Sequence, residues 1–326
     1  MAGETGGLMG RFGNRIWVCA WALWLALAAG GAWAAPEASF VMDARTGQVY
    51  AADNADARRH PASLTKMMTL YLAFSAVERG ALAMEDVVRI SARAALEPGS
   101  RLGLRAGERV TVRDLITATA VRSANDAATA LAEAVAGSET DFVARMNEAA
   151  RRMGLRNTRF RNAHGLTAEG HYSTARDMSL LGRQLALDFP QFFDLFRQQQ
   201  AQAAGREILH TNRRFLGAYE GADGIKTGYT SAAGYNLTAS ARRGDRWLIV
   251  TVMGAGSSVE RTAHVTQLMD MGFAKAPERV TPVPPRPALR PLLADRAPLF
   301  TAAATDAVKG QSPPRRAGSV GVFALR

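Results

Sequence analysis

The sequence predicts an α/β chain of the α+β kind: an antiparallel sheet built from both ends of one domain, flanked by helices and joined to a helical lobe. Three observations carry this. Strand-like runs at residues 38–44 and 48–51 flank Arg45-Thr46-Gly47, which reads as a hairpin. Far downstream, residues 235–242 and 246–254 alternate or run apolar on either side of Arg243-Gly244-Asp245, a second hairpin. Between the hairpins the apolar spacing is helical, with helices expected at 63–78, 112–121, 126–135, 140–152, 174–187 and 190–200, and a last one at 259–271.

The ends of the chain are of a different character. Arg11 and Arg15 precede an apolar run over residues 16–29, and Ala32-Trp33-Ala34 then offers small residues at cleavage spacing, so residues 1–34 read as an export signal. An uncleaved anchor is the other reading, although the run is short for a span of about 20 residues. Either way the domain works outside the cytoplasm, in the periplasm or at the cell surface. The only cysteine, Cys19, falls in that signal, so the mature chain holds no disulfide and no cysteine metal site. One domain is expected over 35–275. Residues 276–326 are rich in proline and basic, with eight basic against three acidic residues from Pro277 onward, and read as an extended, disordered tail. That tail is either a solvated linker or a tether to anionic lipid or wall polymer, whose grip would weaken with salt. The net charge of +11 does not point to nucleic acid, since no clustered basic helix or interleaved aromatics accompany the export signal.

Three short motifs carry the chemistry: Ser63-Leu64-Thr65-Lys66, Ser123-Ala124-Asn125 and Lys226-Thr227-Gly228. Each alone is common; the ordered trio in an exported chain is the signature of a serine acyl-transfer enzyme that uses lysine as its base. If Ser63 opens a helix, Lys66 lies one turn on, on the same face, where its amine reaches the hydroxyl. An ordinary lysine is protonated at neutral pH and cannot take the serine proton, so Lys66 must be partly neutral. Burial and a second positive charge both push a lysine down, and Lys226 is the natural second charge. Ser123 and Asn125 fall just before a helical run, where Asn125 could hold a substrate amide and Ser123 could pass a proton to a leaving amine. Ser-Ala-Asn-Asp is also an ordinary helix start. Lys226, Thr227 and Gly228 fit an edge strand beside a cleft. There Thr227 and Lys226 would meet a carboxylate, and the backbone N–H of Tyr229 could pair with that of Ser63 as an oxyanion hole.

With these motifs in hand the chain resembles the low-molecular-mass penicillin-binding proteins, the serine D-alanyl-D-alanine carboxypeptidases of peptidase family S11. The resemblance runs from about Ala38 to Phe273. It includes His60-Pro61-Ala62, Ser123-Ala124-Asn125-Asp126-Ala127, Asn162-Ala163-His164-Gly165-Leu166, residues 171–178, 224–230 and Ala233-Gly234-Tyr235-Asn236-Leu237. It implies the β-lactamase/transpeptidase-like fold, with Ser63 as acyl-ester nucleophile, Lys66 as base, Ser123 and Asn125 as the second element and Lys226 as the substrate-contacting lysine. It implies peptidoglycan stem peptides as substrate and β-lactams as covalent inhibitors; no cofactor is expected, and no His-Glu-x-x-His stretch or histidine cluster suggests a metal. It also places Arg261 near the substrate's terminal carboxylate, a softer match, since Gly256-Ser257-Ser258 departs from the family pattern and a surface arginine at a helix start is the other reading. Tyr229 stands where the family often has histidine. A DD-endopeptidase with the same machinery and a non-catalytic penicillin- or stem-peptide-binding module remain alternatives. A β-lactamase fits less well, with Glu169 the nearest candidate for a deacylating glutamate.

Overall fold

The computed structural model describes residues 37–285; the expected signal with Cys19, and all but the first ten residues of the expected tail, lie outside them. Strands β1 (Ala38–Asp43) and β2 (Val49–Asp53) form the first hairpin. The helical lobe follows: α1 (Lys66–Glu78), β3 (Val87–Arg89), α2 (Ala92–Leu96), β4 (Arg109–Thr111), α3 (Val112–Thr117), α4 (Asn125–Ala136), α5 (Glu139–Met153) and α6 (Ala175–Asp188). Next come α7 (Pro190–Phe193), β5 (Gln200–Ala203), β6 (Arg206–Leu209) and α8 (Arg213–Ala218). The chain returns to the sheet with β7 (Ala222–Thr230), β8 (Gly234–Arg243) and β9 (Arg246–Ala255), and the described helices end with α9 (Ser258–Lys275).

The five-stranded sheet has the order β2-β1-β9-β8-β7 and is antiparallel throughout, so the first and last strands pair in its middle and β7 is left at an edge. Burial on both faces explains why β1 and β9 read as nearly continuous apolar runs. Phe40, Met42, Ile249 and Met253 face the core shared with α1 and α6, while Val41, Leu248, Val250 and Val252 face Val265, Met269 and Phe273 of α9. Period-two alternation thus feeds two separate apolar layers. Helix starts follow the sequence as well: Ser138, Thr174 and Ser257 accept the backbone N–H three residues on, capping α5, α6 and α9.

Two expectations change. The helix expected over 190–200 stops at Phe196, and Gln200 begins β5, which pairs with β6 around Ala204 and Gly205. Both turn residues have positive φ, +49° and +70°, as a two-residue hairpin turn requires. β5 does alternate, with Ala201 and Ala203 turned to the core, but Gln200-Ala201-Gln202-Ala203 is short and its apolar residues are small, so the alternation is a weak signal. The tail, expected to be free from residue 276, instead begins with a fixed stretch. Arg45 donates to the carbonyls of Pro277 and Glu278, and the Val283 N–H donates to the Arg45 carbonyl. Arg183 also donates to the Val283 carbonyl.

One side chain ties the sheet to the segment that carries Ser63. Asn236, buried on β8, donates to the carbonyls of His60 and Pro61 at 3.0 and 3.1 Å and accepts from the Gly254 N–H at 2.9 Å. Asn236→Ala should leave these buried groups without partners. The expected cost is about 2–3 kcal/mol, read as a fall in Tm of roughly 5–10 °C for a domain of this size; an unchanged Tm would contradict the assignment.

Candidate active site

Ser63 lies in a tight helical turn, Ala62–Thr65, that runs straight into α1, and this sets the distance to its neighbour one turn on. Lys66 Nζ is 3.0 Å from Ser63 Oγ, 2.6 Å from Asn125 Oδ1 and 2.6 Å from the His164 carbonyl oxygen. Lys66 is fully buried. Burial, then the charge of Lys226, pushes its amine well below the ordinary lysine value, while Asp126 and Glu97 pull the other way. A neutral amine has two N–H groups and one lone pair. The Asn125 amide oxygen and the His164 carbonyl can only accept, so they take both hydrogens, and the lone pair is left facing the Ser63 hydroxyl. Asn125 is oriented for this by donating its Nδ2 to the Pro98 carbonyl at 2.6 Å.

Two glycines allow the approach. A Cβ on Gly165, at φ +92°, would sit 1.9 Å from the Ala62 carbonyl oxygen, just before the serine. A Cβ on Gly228 would sit 2.9 Å from the Pro61 oxygen and 3.0 Å from the Ser63 nitrogen, so edge strand β7 can lie against the Ser63 turn only with glycine there.

Ser123 ends a wide helical turn, Ala118–Arg122, that follows α3, and takes φ +63°, a left-handed conformation rare outside glycine. Such strain persists where surrounding structure holds it; here the Ala124 N–H donates to the Ala118 carbonyl and the Asn125 N–H to the Ser100 carbonyl. Ser63, Ser123, Thr227, Gly228, Tyr229 and Arg261 all line one open cleft of about 600 Å³, a volume suited to a small-molecule or peptide ligand. Lys226 is buried beneath it and donates to the Thr227 carbonyl at 3.1 Å. Burial and the Arg261 guanidinium push Lys226 down to about 7. Thr227 donates its hydroxyl hydrogen to Thr211 at 2.8 Å, and Tyr229, 53% exposed, stacks on Tyr235 with ring centroids 4.3 Å apart.

The structure therefore brings all nine sequence-predicted site residues to one place. Arg261, in the first turn of α9, is buried at the cleft wall, and burial pushes it down to about 10. Sequence reasoning missed three contributors. Arg213 and Arg214 add positive charge to the cleft, with only the Thr211-Asn212-Arg213-Arg214 string as a signal. Asp126, which the motif contains, accepts the N–H groups of Leu102, Gly103 and Leu104 and so fixes the loop that carries Ser100 to the cleft. Among the described residues one group, Glu97, Glu139 and His164, is close enough to surround a cation. The Leu166 N–H, however, donates to His164 Nδ1 at 3.2 Å, which leaves the proton on Nε2, where a metal ligand needs a lone pair.

A family model described as peptidase S11, D-alanyl-D-alanine carboxypeptidase, matches residues 29–257. The D-alanyl-D-alanine carboxypeptidase DacF of Bacillus subtilis is 39% identical over 243 residues, 73% of this chain and 62% of that protein. DacA of Escherichia coli is 40% identical over 243 residues, 73% of this chain and 60% of that protein. Among solved structures, penicillin-binding protein 5 of Haemophilus influenzae superposes with a TM-score of 0.70 at 36% identity, covering 73% of this chain and 70% of that one. Penicillin-binding protein D2 of Listeria monocytogenes in its cefotaxime-bound form gives 0.67 at 31% identity, covering 72% and 96%. The chain belongs to the S11 family of serine D-alanyl-D-alanine carboxypeptidases and has its transpeptidase-like fold. It spans about three fifths of the length of these curated relatives.

Gly228→Ala should push β7 away from the Ser63 turn. We expect labelling by a fluorescent penicillin to slow by about 100-fold, the order of effect of an ångström-scale misplacement, with the circular dichroism spectrum retained. Labelling at the parent rate would show that the close approach is not needed.

Proposed function

We propose that the chain is an exported serine-type D-Ala-D-Ala carboxypeptidase of the periplasm or cell surface, which removes the terminal D-alanine from peptidoglycan stem pentapeptides. The observation that carries this reading is the buried Lys66 amine, whose two N–H groups are engaged by acceptors while its remaining direction meets Ser63 Oγ. Ser63 attacks the carbonyl between the two D-alanines and its proton passes to Lys66. The tetrahedral oxyanion is held by the backbone N–H groups of Ser63 and Tyr229, each donor of this kind being worth about 100- to 1,000-fold in rate. Ser123, which lines the cleft with Ser63, relays the proton to the leaving amine. Asn125 holds the substrate amide as well as Lys66. Lys226, Thr227 and Arg261 take the terminal carboxylate, a charge the cleft is built to receive with Arg213 and Arg214 alongside. Water then frees the acyl group from Ser63. β-Lactams, which carry a carboxylate beside a strained amide, acylate the same oxygen; relatives solved with cefotaxime and with ampicillin bound support this.

Release of free D-alanine from a stem pentapeptide, run beside a cross-linked dimer, tests the reading. Product from the pentapeptide supports a carboxypeptidase, whereas cleavage of the dimer alone would make the chain an endopeptidase. Ser63→Ala should abolish both D-alanine release and penicillin labelling with the fold intact, because it removes one oxygen and leaves little cavity; labelling that survives would sink the nucleophile assignment. Lys226→Ala should raise KM for carboxylate-bearing substrates by about 10-fold or more, as loss of a buried charge-assisted hydrogen bond does, and an unchanged KM would contradict its role.

A further inference from the structure

Beside His164, whose carbonyl accepts from Lys66, lie two carboxylates that the reaction as described leaves unused. Glu97 Oε2 is 3.3 Å and Glu139 Oε1 3.6 Å from His164 Nε2, and the two side chains are only 11% and 4% exposed. Neither lines the cleft. With Nδ1 accepting from the Leu166 N–H, the imidazole directs its one N–H at both acids. Burial and the charge of Lys66 hold the His164 ring neutral, down to about 3. The acids are fixed in turn: Thr129 donates to Glu97 at 3.1 Å, the Ala163 N–H donates to Glu139 at 3.0 Å, and Arg93 pairs with the other Glu139 oxygen.

These contacts close a ring. Lys66 donates to the His164 carbonyl and to Asn125, Asn125 donates to the Pro98 carbonyl, and Pro98 adjoins Glu97, whose carboxylate returns to the His164 imidazole. We propose that Glu97 and Glu139 are positioning residues for the Lys66 base: through the His164 ring they hold its carbonyl against Lys66 Nζ, and they set negative charge near the amine. This rests on the reading of Ser63 as nucleophile.

The physical need arises when Lys66 works. As the Ser63 O–H bond breaks and the O–C bond forms, the proton moves to Lys66 Nζ, and a buried ammonium then stands near Lys226 until the leaving nitrogen takes the proton. Without a counter-charge that ammonium is strongly disfavoured in a dry site. The charged and titratable groups that face Lys66 are Lys226 from β7, Asp126 from α4, Glu97 from the loop after α2 and the neutral His164. Asp126 is already committed to three loop N–H groups. Glu97, with Glu139 and Arg93 around it, is the adjustable part. Burial and Glu139 raise Glu97, and the Thr129 hydrogen bond and the charges of Arg93 and Lys66 oppose them.

The test is the pH dependence of penicillin acylation, from pH 5 to 9, for the parent, Glu97→Gln and Glu139→Gln, each with a melting curve. Glutamine keeps the shape and can still accept from His164 Nε2, but it removes the charge. Loss of an attracting charge lowers the Lys66 pKa, so the acid limb should move to lower pH, by about one unit, and the plateau should drop because the base is weaker. Should Glu97→Gln fail to fold, the same shift in Glu139→Gln supports the proposal. A rate that falls equally at every pH, with the limb unmoved, overturns it and leaves the acids a purely structural role. A parent that penicillin does not acylate overturns the reading of Ser63 itself, and the proposal with it.

Discussion

The structure depends on keeping one lysine amine dry. Lys66 can serve as a base at neutral pH only if its charged form is penalised, and that requires a buried helix, a second cation nearby and acceptors that do not themselves donate. Each part of the fold answers one of these demands. The apolar run of α1 buries the amine, edge strand β7 brings in Lys226, and the start of α4 and the loop at His164 supply the acceptors.

The antiparallel sheet makes this arrangement precise across a long stretch of chain. Its middle pair, β1 and β9, joins the two ends of the domain, so the helical lobe is inserted into the sheet instead of appended to it. Asn236 then fixes the Ser63 turn against β8, and Gly228 lets β7 close over it. The backbone approach at Gly165 seals the other side. Arg261, Arg213 and Arg214 line the same cleft and Lys226 lies buried beside it, so positive charge gathers there. These charges raise the local anion concentration and also bear on the lysines, so binding and base strength are linked.

Much of this was legible in the sequence. Ser63 and Lys66 were readable because a helical turn converts a three-residue spacing into contact, and the need for a second charge near Lys66 followed from chemistry alone. The central strands β1 and β9 were readable because residues on both of their faces are apolar and feed the two core layers. What was hidden depends on long-range contact. Arg213 and Arg214 look like surface residues until α8 places them at the cleft, and nothing in the neighbourhood of Glu97 marks it as a partner of a histidine 67 positions away. β5 and β6 escaped because each is four residues long and the apolar face they share, Ala201, Ala203 and Ile208, is too small to stand out. The positive φ of Ser123 was equally invisible, since a helix-start reading of the same residues is locally sound.

The most direct test is the protonation of Lys66 itself. The chain holds four lysines, Lys66, Lys226, Lys275 and Lys309, so lysine labelled with 13C at Cε gives a spectrum simple enough to assign by substitution. Followed against pH in the intact protein, Lys66 should lose its proton well below the ordinary lysine range. A Lys66 that stays protonated into that range would contradict the account, because the amine beside Ser63 would then have no lone pair to offer.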